Sequence, residues 1–451
     1  MLRSTWIRVC QYTVWHQASV FSLKRFSGKE FVDVRVMKFG GTSVAGSDQL
    51  RRIVPIVRQA AHHYRVVVVV SAFRGVTDAL LSIARDAAAG KPWDGTWHSI
   101  AEQHRRVADD LGLLPWHHGE AVLEELYAFA TGISLLGECT PRMLDAIAAY
   151  GELLSSRLLE GVLAQSAEVA WHDARTSIIT DACFTNAHVD WERTKAATST
   201  TLKPLLERYC TVVTQGFIAS TANGVTTTLG RGGSDYSAAL LGAALGAGSV
   251  EIWTDVSGIY TADPRLVPDA RSLPHVTISE IRTLAAYGAN VLHPLTIEPA
   301  IEYDVPVVVR NTFEPSHPGT VIVSRLDTPT DGIRALAMLD VYRSTDSDVL
   351  PEDGEFLAIV HIRGERYQLV RHALCDRDIP ATLVCCVGEG IHRTNRGLEQ
   401  IIAASNHAGC AATIVGSGAN ALLVMVDRDC GYRFLRALHE TLCHQQIEVT
   451  A

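Results

Sequence analysis

The stretch Val225–Ser237, VTTTLGRGGSDYS, decides how this chain is read. A β-branched run, Val225 to Thr228, has the character of a strand. It breaks into Gly230-Arg231-Gly232-Gly233, after which Ser234 and Asp235 open an apolar helix over Tyr236–Leu245. Ser or Asp at that point is a helix start signal. A glycine-rich turn at a helix N-terminus aims backbone N–H groups and a positive dipole end at whatever docks there, most often an anion. Arg231 and Asp235 add one fixed charge of each sign, which suits a zwitterion bearing a carboxylate and an ammonium. The plainer alternative is a tight turn with an Asp N-cap and a surface arginine.

Working outward, a second glycine turn tips the balance towards a ligand site. Val34–Phe39, VRVMKF, is a short apolar run ending in Gly40-Gly41-Thr42-Ser43, with a helix to follow from a cap at Ser47 or Asp48. Lys38 falls where a buried parallel strand reaches its carboxyl end. Lysine is rarely buried without a partner, and open α/β sheets bind ligands beyond the carboxyl ends of their strands. A lysine leading into a Gly-Gly nest reads as a phosphate clamp. It is not a P-loop, because the lysine precedes the glycines. The competing reading is a lysine snorkelling from a strand end.

Bulk properties exclude several classes. At 451 residues with 47% hydrophobic content, the chain predicts two or three domains with large cores. A net charge of −9 and the lack of a basic stripe argue against a nucleic-acid partner. Ten scattered cysteines contain no C-x-x-C pair, which predicts reduced thiols in a cytoplasmic protein, with no metal site and no disulfide framework. No apolar run reaches a membrane-spanning length, so no membrane association is expected. Residues 1–32 are set apart: Met1–Lys29 carries Arg3, Arg8, Lys24, Arg25 and Lys29 but no acid. That composition fits a transit peptide, a translated upstream stretch or a disordered extension.

Strands and helices alternate from Asp33 onward. Val66–Val70, five valines, predicts a central strand buried on both faces. Helices are expected over Asp78–Ala89, Ile100–Leu111, Ala121–Leu135, Pro141 to about Leu163, Ser279–Tyr287 and Leu295–Glu302. Strands are expected over Thr211–Gln215, Phe217–Ser220, Val250–Thr254, Val305–Val309 and at Val321, with a hairpin turn at Asn223-Gly224. The fold class is therefore α/β with a mostly parallel central sheet over residues 33–326. Beyond a linker at Asp327–Asp331, residues 332–451 change texture. Short strands at Ala335–Val341, Glu355–Ile362, Ala381–Val387, Cys410–Val415 and Ala421–Val426 alternate with helices at Arg366–Cys375, Thr394–His407 and Arg433–Gln445. Adjacent Cys385 and Cys386 should face opposite sides of their strand. This is the pattern of a small α+β regulatory module.

With these blocks in view, the chain resembles the aspartate kinases of the amino acid kinase family. The likeness rests on KFGGTSVA (Lys38–Ala45), TTTLGRGGSD (Thr226–Asp235), WTDVSGIYTADPR (Trp253–Arg265) and VLHP (Val291–Pro294), in family order. It implies a three-layer amino acid kinase-type sandwich and a C-terminal ACT-like region. It also implies MgATP-dependent phosphorylation of the L-aspartate β-carboxylate, the first step towards lysine, threonine and methionine. Lys38 then meets the transferring phosphate, with Gly40 and Gly41 as backbone donors, and Asp235 joins Lys38 among the catalytic residues. Arg231 grips the substrate α-carboxylate, Glu152 and Asp235 take its ammonium, and Ser71, Thr77 and Phe217 complete the substrate side. Thr254, Asp255, Tyr260, Arg265, Asn290 and Val291 fall to the nucleotide. Rival readings are a kinase of acetylglutamate, glutamate or UMP, and a catalytically silent amino-acid sensor. Three departures stand out: Phe73 and Arg74 enlarge SAFRGVT, Asn290 replaces a common lysine, and Tyr150 replaces a common histidine before Gly151-Glu152. The tail is short for two ACT modules, its second half being the better match around Val387-Gly388-Glu389-Gly390. A homodimer through the C-terminal region is implied.

Overall fold

The five valines divide their side chains between two cores. Val66, Val68 and Val70 join one apolar cluster and Val67 and Val69 the other, and all five are fully buried. A parallel strand covered on both faces produces this pattern. The strand Arg65–Val70 lies within an eight-stranded sheet. Its spatial order is Val169–Trp171, Thr211–Gln215, Arg65–Val70, Val34–Phe39, Ser249–Thr254, Val307–Asn311, Thr320–Val323 and His275–Thr277. Only the pairing of Val307–Asn311 with Thr320–Val323 is antiparallel. The coordinates, a computed structural model, describe residues 33–289, 292–326, 331–344, 356–362, 365–373, 375 and 378–444. The expected N-terminal extension, most of the expected linker, and Asn290 and Val291 lie outside them.

Helices Ser47–Ala61, Val76–Ala88, Asp94–Asp110, His117–Leu136 and Tyr150–Ala164 cover one face of the sheet. Trp191–Thr201, Gly233–Leu245, Ile278–Ala286 and Pro294–Glu302 cover the other, giving three layers. A small sheet of Ile179–Thr180, Ile218–Thr221 and Thr226–Thr228 stands beside them, its hairpin closed at Asn223-Gly224. Thr140 caps the helix Pro141–Ala148 by accepting from the Met143 N–H. The single helix expected from Pro141 to about Leu163 is two segments, the second being Tyr150–Ala164.

Two expected caps are corrected, and a third helix starts earlier than expected. The helices following the two glycine turns take Gly46 and Gly232 at the N-cap, with no side-chain cap. Gly75, at φ +82°, holds that position before Val76–Ala88, so Thr77 lies within its first turn. The polar residues are used elsewhere: Ser47 Oγ donates to Asp110 Oδ2 at 3.0 Å, and Asp235 turns to Lys38.

Residues beyond 331 form a six-stranded antiparallel sheet. Its order is Phe356–Ile362, Glu365–Val370, Ala335–Ser344, Ile379–Val387, Ala421–Asp427 and Thr413–Gly418. Helices Arg396–Ala408 and Gly431–His444 pack on one face with Val384, Cys386 and Val424. Leu383 and Cys385 face the other way, into the core shared with the three-layer region. The helix expected over Arg366–Cys375 is instead the strand Glu365–Val370. Short apolar runs are ambiguous between the two states, and ladders on both sides settle this one. Polar contacts reinforce the shared core: Arg334 Nη1 lies 2.7 Å from both Glu280 carboxylate oxygens. Leu336 N–H donates to Thr261 O at 2.8 Å.

Candidate active site

The strands Arg65–Val70, Val34–Phe39 and Ser249–Thr254 run side by side and stop together, Phe39 lying opposite Val70 and Trp253. Their carboxyl ends form one edge, where Gly40 N–H donates to Trp253 O at 3.2 Å. A Cβ on Gly41 would sit 2.9 Å from Ala72 O, so only glycine lets the two loops approach this closely. Lys38 is nearly buried, and its Nζ lies 2.5 Å from Asp235 Oδ1 in the first turn of Gly233–Leu245. Gly230 and Gly232 make that juxtaposition possible, at φ +70° and +74°.

Two cavities meet at this ion pair, and Lys38 and Asp235 line both. The first has a volume of about 360 Å³, and its wall includes Ser71, Thr77, Glu152 and Phe217. Gly151 permits the close approach of helix Tyr150–Ala164 to this wall, since a Cβ there would lie 2.7 Å from Ala72 Cβ. Glu152 Oε1 accepts from Ala72 N–H at 3.1 Å. Its Oε2 is buried with no hydrogen-bond partner among the described residues. Burial pushes the Glu152 carboxyl up to about 8, against the opposing pull of the Ala72 N–H. Ser155 Oγ fixes the loop by donating to Ser71 O at 2.8 Å. Phe217 holds φ +65°, costly for a bulky residue at about 1–3 kcal/mol. Its N–H donates to Ser237 Oγ and its carbonyl accepts from Leu229 N–H, which ties it to both ends of the glycine turn.

The second cavity is larger, about 580 Å³, and includes Thr254, Asp255, Tyr260 and Arg265. Arg265 is exposed and paired bidentately with Asp263. Asn290 and Val291 lie outside the described residues, while their neighbours Ala289 and Leu292 line this cavity. Leu336, Ala337, Met338 and Leu435 add an apolar wall from the C-terminal region, which sequence reasoning missed because no local signal marks it.

Gly40, Gly41 and Arg231 are the described site residues that line neither cavity, and Arg231 stands furthest from the expected role. It stands exposed at the tip of the glycine turn and lines neither cavity. Arg74 and Asp78 do line the first cavity; the quoted SAFRGVT loop contained the signal for Arg74. Phe73 is buried and stacks on His104 at 4.6 Å, so its extra bulk is absorbed by the helical layer. Burial pushes that histidine down to about 4. Among the described residues, one group could ligate a metal ion: exposed Asp181, Cys183 and His188. Its D-x-C-x₄-H spacing was not picked out in the sequence. No helix among the described residues is long and apolar enough to cross a membrane.

The amino acid kinase family model matches residues 33–311. The chain belongs to the amino acid kinase family. The relatives it resembles include several aspartokinases. Lysine-sensitive aspartokinase 3 of Escherichia coli K12 is 36% identical over 312 residues, 68% of this chain and 67% of that protein. Chloroplastic aspartokinase 2 of Arabidopsis thaliana is 37% identical over 309 residues, 67% of this chain and 56% of that protein. A bifunctional aspartokinase/homoserine dehydrogenase of Daucus carota is 34% identical over 346 residues, and the match spans only 35% of its length. Among solved structures, E. coli aspartokinase III with aspartate and ADP superposes with a TM-score of 0.72 at 28% identity. That match covers 91% of this chain and 100% of that one. The same enzyme with lysine and aspartate gives 0.76.

Proposed function

We propose that this chain phosphorylates the β-carboxylate of L-aspartate with ATP, the smaller cavity holding the acceptor and the larger one the nucleotide. The observation that carries this reading is the Lys38–Asp235 pair at the seam of the two cavities. A phosphoryl group handed from one cavity to the other passes this point. Phosphoryl transfer needs positioning and charge neutralisation rather than covalent help. Lys38 and the Gly41 N–H supply both, the Gly40 N–H being held by Trp253 O. The nucleophile is a carboxylate already ionised at neutral pH, so no general base is required. A carboxylate oxygen bonds to the γ-phosphorus as the bond to the β–γ bridging oxygen breaks, and ADP leaves.

Recognition of the acceptor follows from charge. The unpartnered Glu152 Oε2 gains an ammonium, and Asp235 shares that cation once phosphate engages Lys38. Arg231 swings from the rim to the α-carboxylate, a fork-to-carboxylate fit. Ser71, Thr77 and Phe217 shape the remaining wall. Thr254, Asp255, Tyr260 and Arg265 serve the nucleotide, with Asn290 and Val291 at its edge.

Mg²⁺ keeps several waters and binds through one or two carboxylates plus substrate phosphates. The donors here fit a metal that arrives with the nucleotide: Asp235 and Asp255 both line the larger cavity, and Asp263 is engaged by Arg265. Bound there, Mg²⁺ would neutralise phosphate charge. Calorimetric titration tests the reading of the acceptor cavity. With a non-hydrolysable ATP analogue present, L-aspartate should bind. Binding of glutamate, acetylglutamate or UMP in its place would overturn the assignment.

A further inference from the structure

Asp145 lies on helix Pro141–Ala148, outside both cavities, and is 2% exposed. Burying a carboxylate is costly unless its oxygens are well used. Thr185 N–H donates to both, at 3.0 Å each. Thr228 donates twice, from N–H to Oδ2 at 3.1 Å and from Oγ1 to Oδ1 at 2.7 Å. The two threonines belong to separate segments. Thr228 ends the strand that runs into Gly230-Arg231-Gly232-Gly233. Thr185 belongs to the loop 181–188 and holds φ +74°, a strained conformation for a β-branched residue. The loop is also laid against the glycine turn. Ala187 N–H donates to Thr228 O at 3.0 Å, and a Cβ on Gly230 would lie 2.4 Å from Asn186 Oδ1.

One carboxylate thus joins the root of the glycine turn to the loop that backs it. Packing alone would be served by an apolar side chain of similar size. Serving three donors from two directions requires two acceptor oxygens. An asparagine offers one, and its amide would face an N–H donor.

We propose that Asp145 is a positioning residue for the acceptor: by fixing Thr228 and Thr185 it sets the position of the glycine turn that carries Arg231 and places Asp235 in the wall of the smaller cavity. Burial raises the pKa of this carboxyl, and the hydrogen bonds from Thr228 and Thr185 oppose that rise. The carboxylate therefore depends on the donors that it organises. The inference rests on the smaller cavity being the acceptor site.

Steady-state kinetics of Asp145→Asn, Thr228→Val and Thr228→Ser, with the KM of aspartate and of ATP measured separately, test it. Misplacing a reacting group by about 1 Å costs up to ~100-fold. Asp145→Asn should therefore raise the aspartate KM about 10- to 100-fold and leave the ATP KM within about twofold. Thr228→Val should follow in the same direction, and Thr228→Ser, which keeps the hydroxyl, should stay close to wild type. Should Asp145→Asn fail to fold, the Val/Ser pair at Thr228 decides alone. A lowered melting temperature with an unchanged aspartate KM, or an equal rise in both KM values, would make Asp145 merely structural. Glu152→Gln, run in parallel, separates the two layers of the argument. If it too leaves the aspartate KM unmoved, the acceptor assignment fails and this inference with it. If Glu152→Gln raises the aspartate KM while the Asp145 and Thr228 variants do not, only the positioning role is overturned.

Discussion

The Lys38 ammonium and the Asp235 carboxylate, 2.5 Å apart, join the end of a central strand to the first turn of a helix far along the chain. Because both residues line both cavities, the pair marks where two bound molecules would meet. Replacing the ammonium while keeping the stem, Lys38→Met, should lower kcat by about 10²–10³, as for loss of one preorganised donor to a transition state. Circular dichroism should show the fold retained. A variant keeping more than about a third of wild-type turnover would remove Lys38 from the transfer step.

Glu152 predicts a pH signature. Its folded-state pKa, about 8, exceeds the unfolded value of about 4.3. Between those values the folded protein holds a proton that the unfolded chain has lost, so this group's contribution to stability falls as pH rises. Glu152→Gln should therefore raise the melting temperature of the ligand-free protein more at pH 8 than at pH 5. Binding a cationic amine favours the carboxylate, so aspartate binding at pH 7 should release a proton. Calorimetry in buffers of different ionisation enthalpy measures that release, and a buffer-independent enthalpy would contradict it. His104, pushed down to about 4, works in the opposite sense: its contribution to stability rises with pH from about 4 to 6.5.

Arg231 provides a test of acceptor recognition. A charge-assisted contact contributes about 1.5–3 kcal/mol, so Arg231→Ala should raise the aspartate KM by roughly ten- to a hundredfold and barely alter that of ATP. Equal weakening of both substrates would assign the turn to the nucleotide.

Much of this site was legible in the sequence because glycine announces backbone geometry. The two glycine turns predict tight turns at a ligand site, and the φ values at Gly230 and Gly232 and the close approach at Gly41 show why glycine stands there. The valine run likewise declared a strand buried on both faces. Long-range pairing was not legible. Asp235 reads as a helix cap or a charge for the ligand, because the lysine that takes it lies on a strand far away in the chain. Residues 366–370 looked helical, because the ladders that fix them as strand come from elsewhere in the chain. The apolar wall from Leu336 and Leu435 is invisible until the tail is packed.

That packing has an anchor at Arg334 and Glu280, whose side chains are 12% and 2% exposed. Glu280 also accepts from Thr277 and Glu389 N–H groups. Removing one partner of such a pair costs about 3–5 kcal/mol. Arg334→Ala should lower the melting temperature by several degrees, whereas an unchanged midpoint would show that the apolar core alone holds the tail.

The tail also bears on assembly and control. Among the described residues, strands Ala335–Ser344, Phe356–Ile362 and Glu365–Val370 have no helix between them. The other half of the sheet carries two helices. Control requires differential binding of an effector to two states. The expectation is a solution mass twice the chain's 49.0 kDa, with weak or no inhibition by millimolar lysine or threonine. Strong inhibition by either, singly or together, would show that the abbreviated half still senses effectors.

The decisive measurement is ATP-dependent acyl phosphate formation, trapped with hydroxylamine. Supplied with L-aspartate, the purified chain should yield the hydroxamate with one ADP per product. L-Glutamate and acetylglutamate should give little, and Lys38→Met should bring the aspartate signal close to background. Binding of aspartate without any hydroxamate would make the chain an amino-acid sensor. Turnover on another acceptor in preference to aspartate would overturn the reading of the Glu152 cavity.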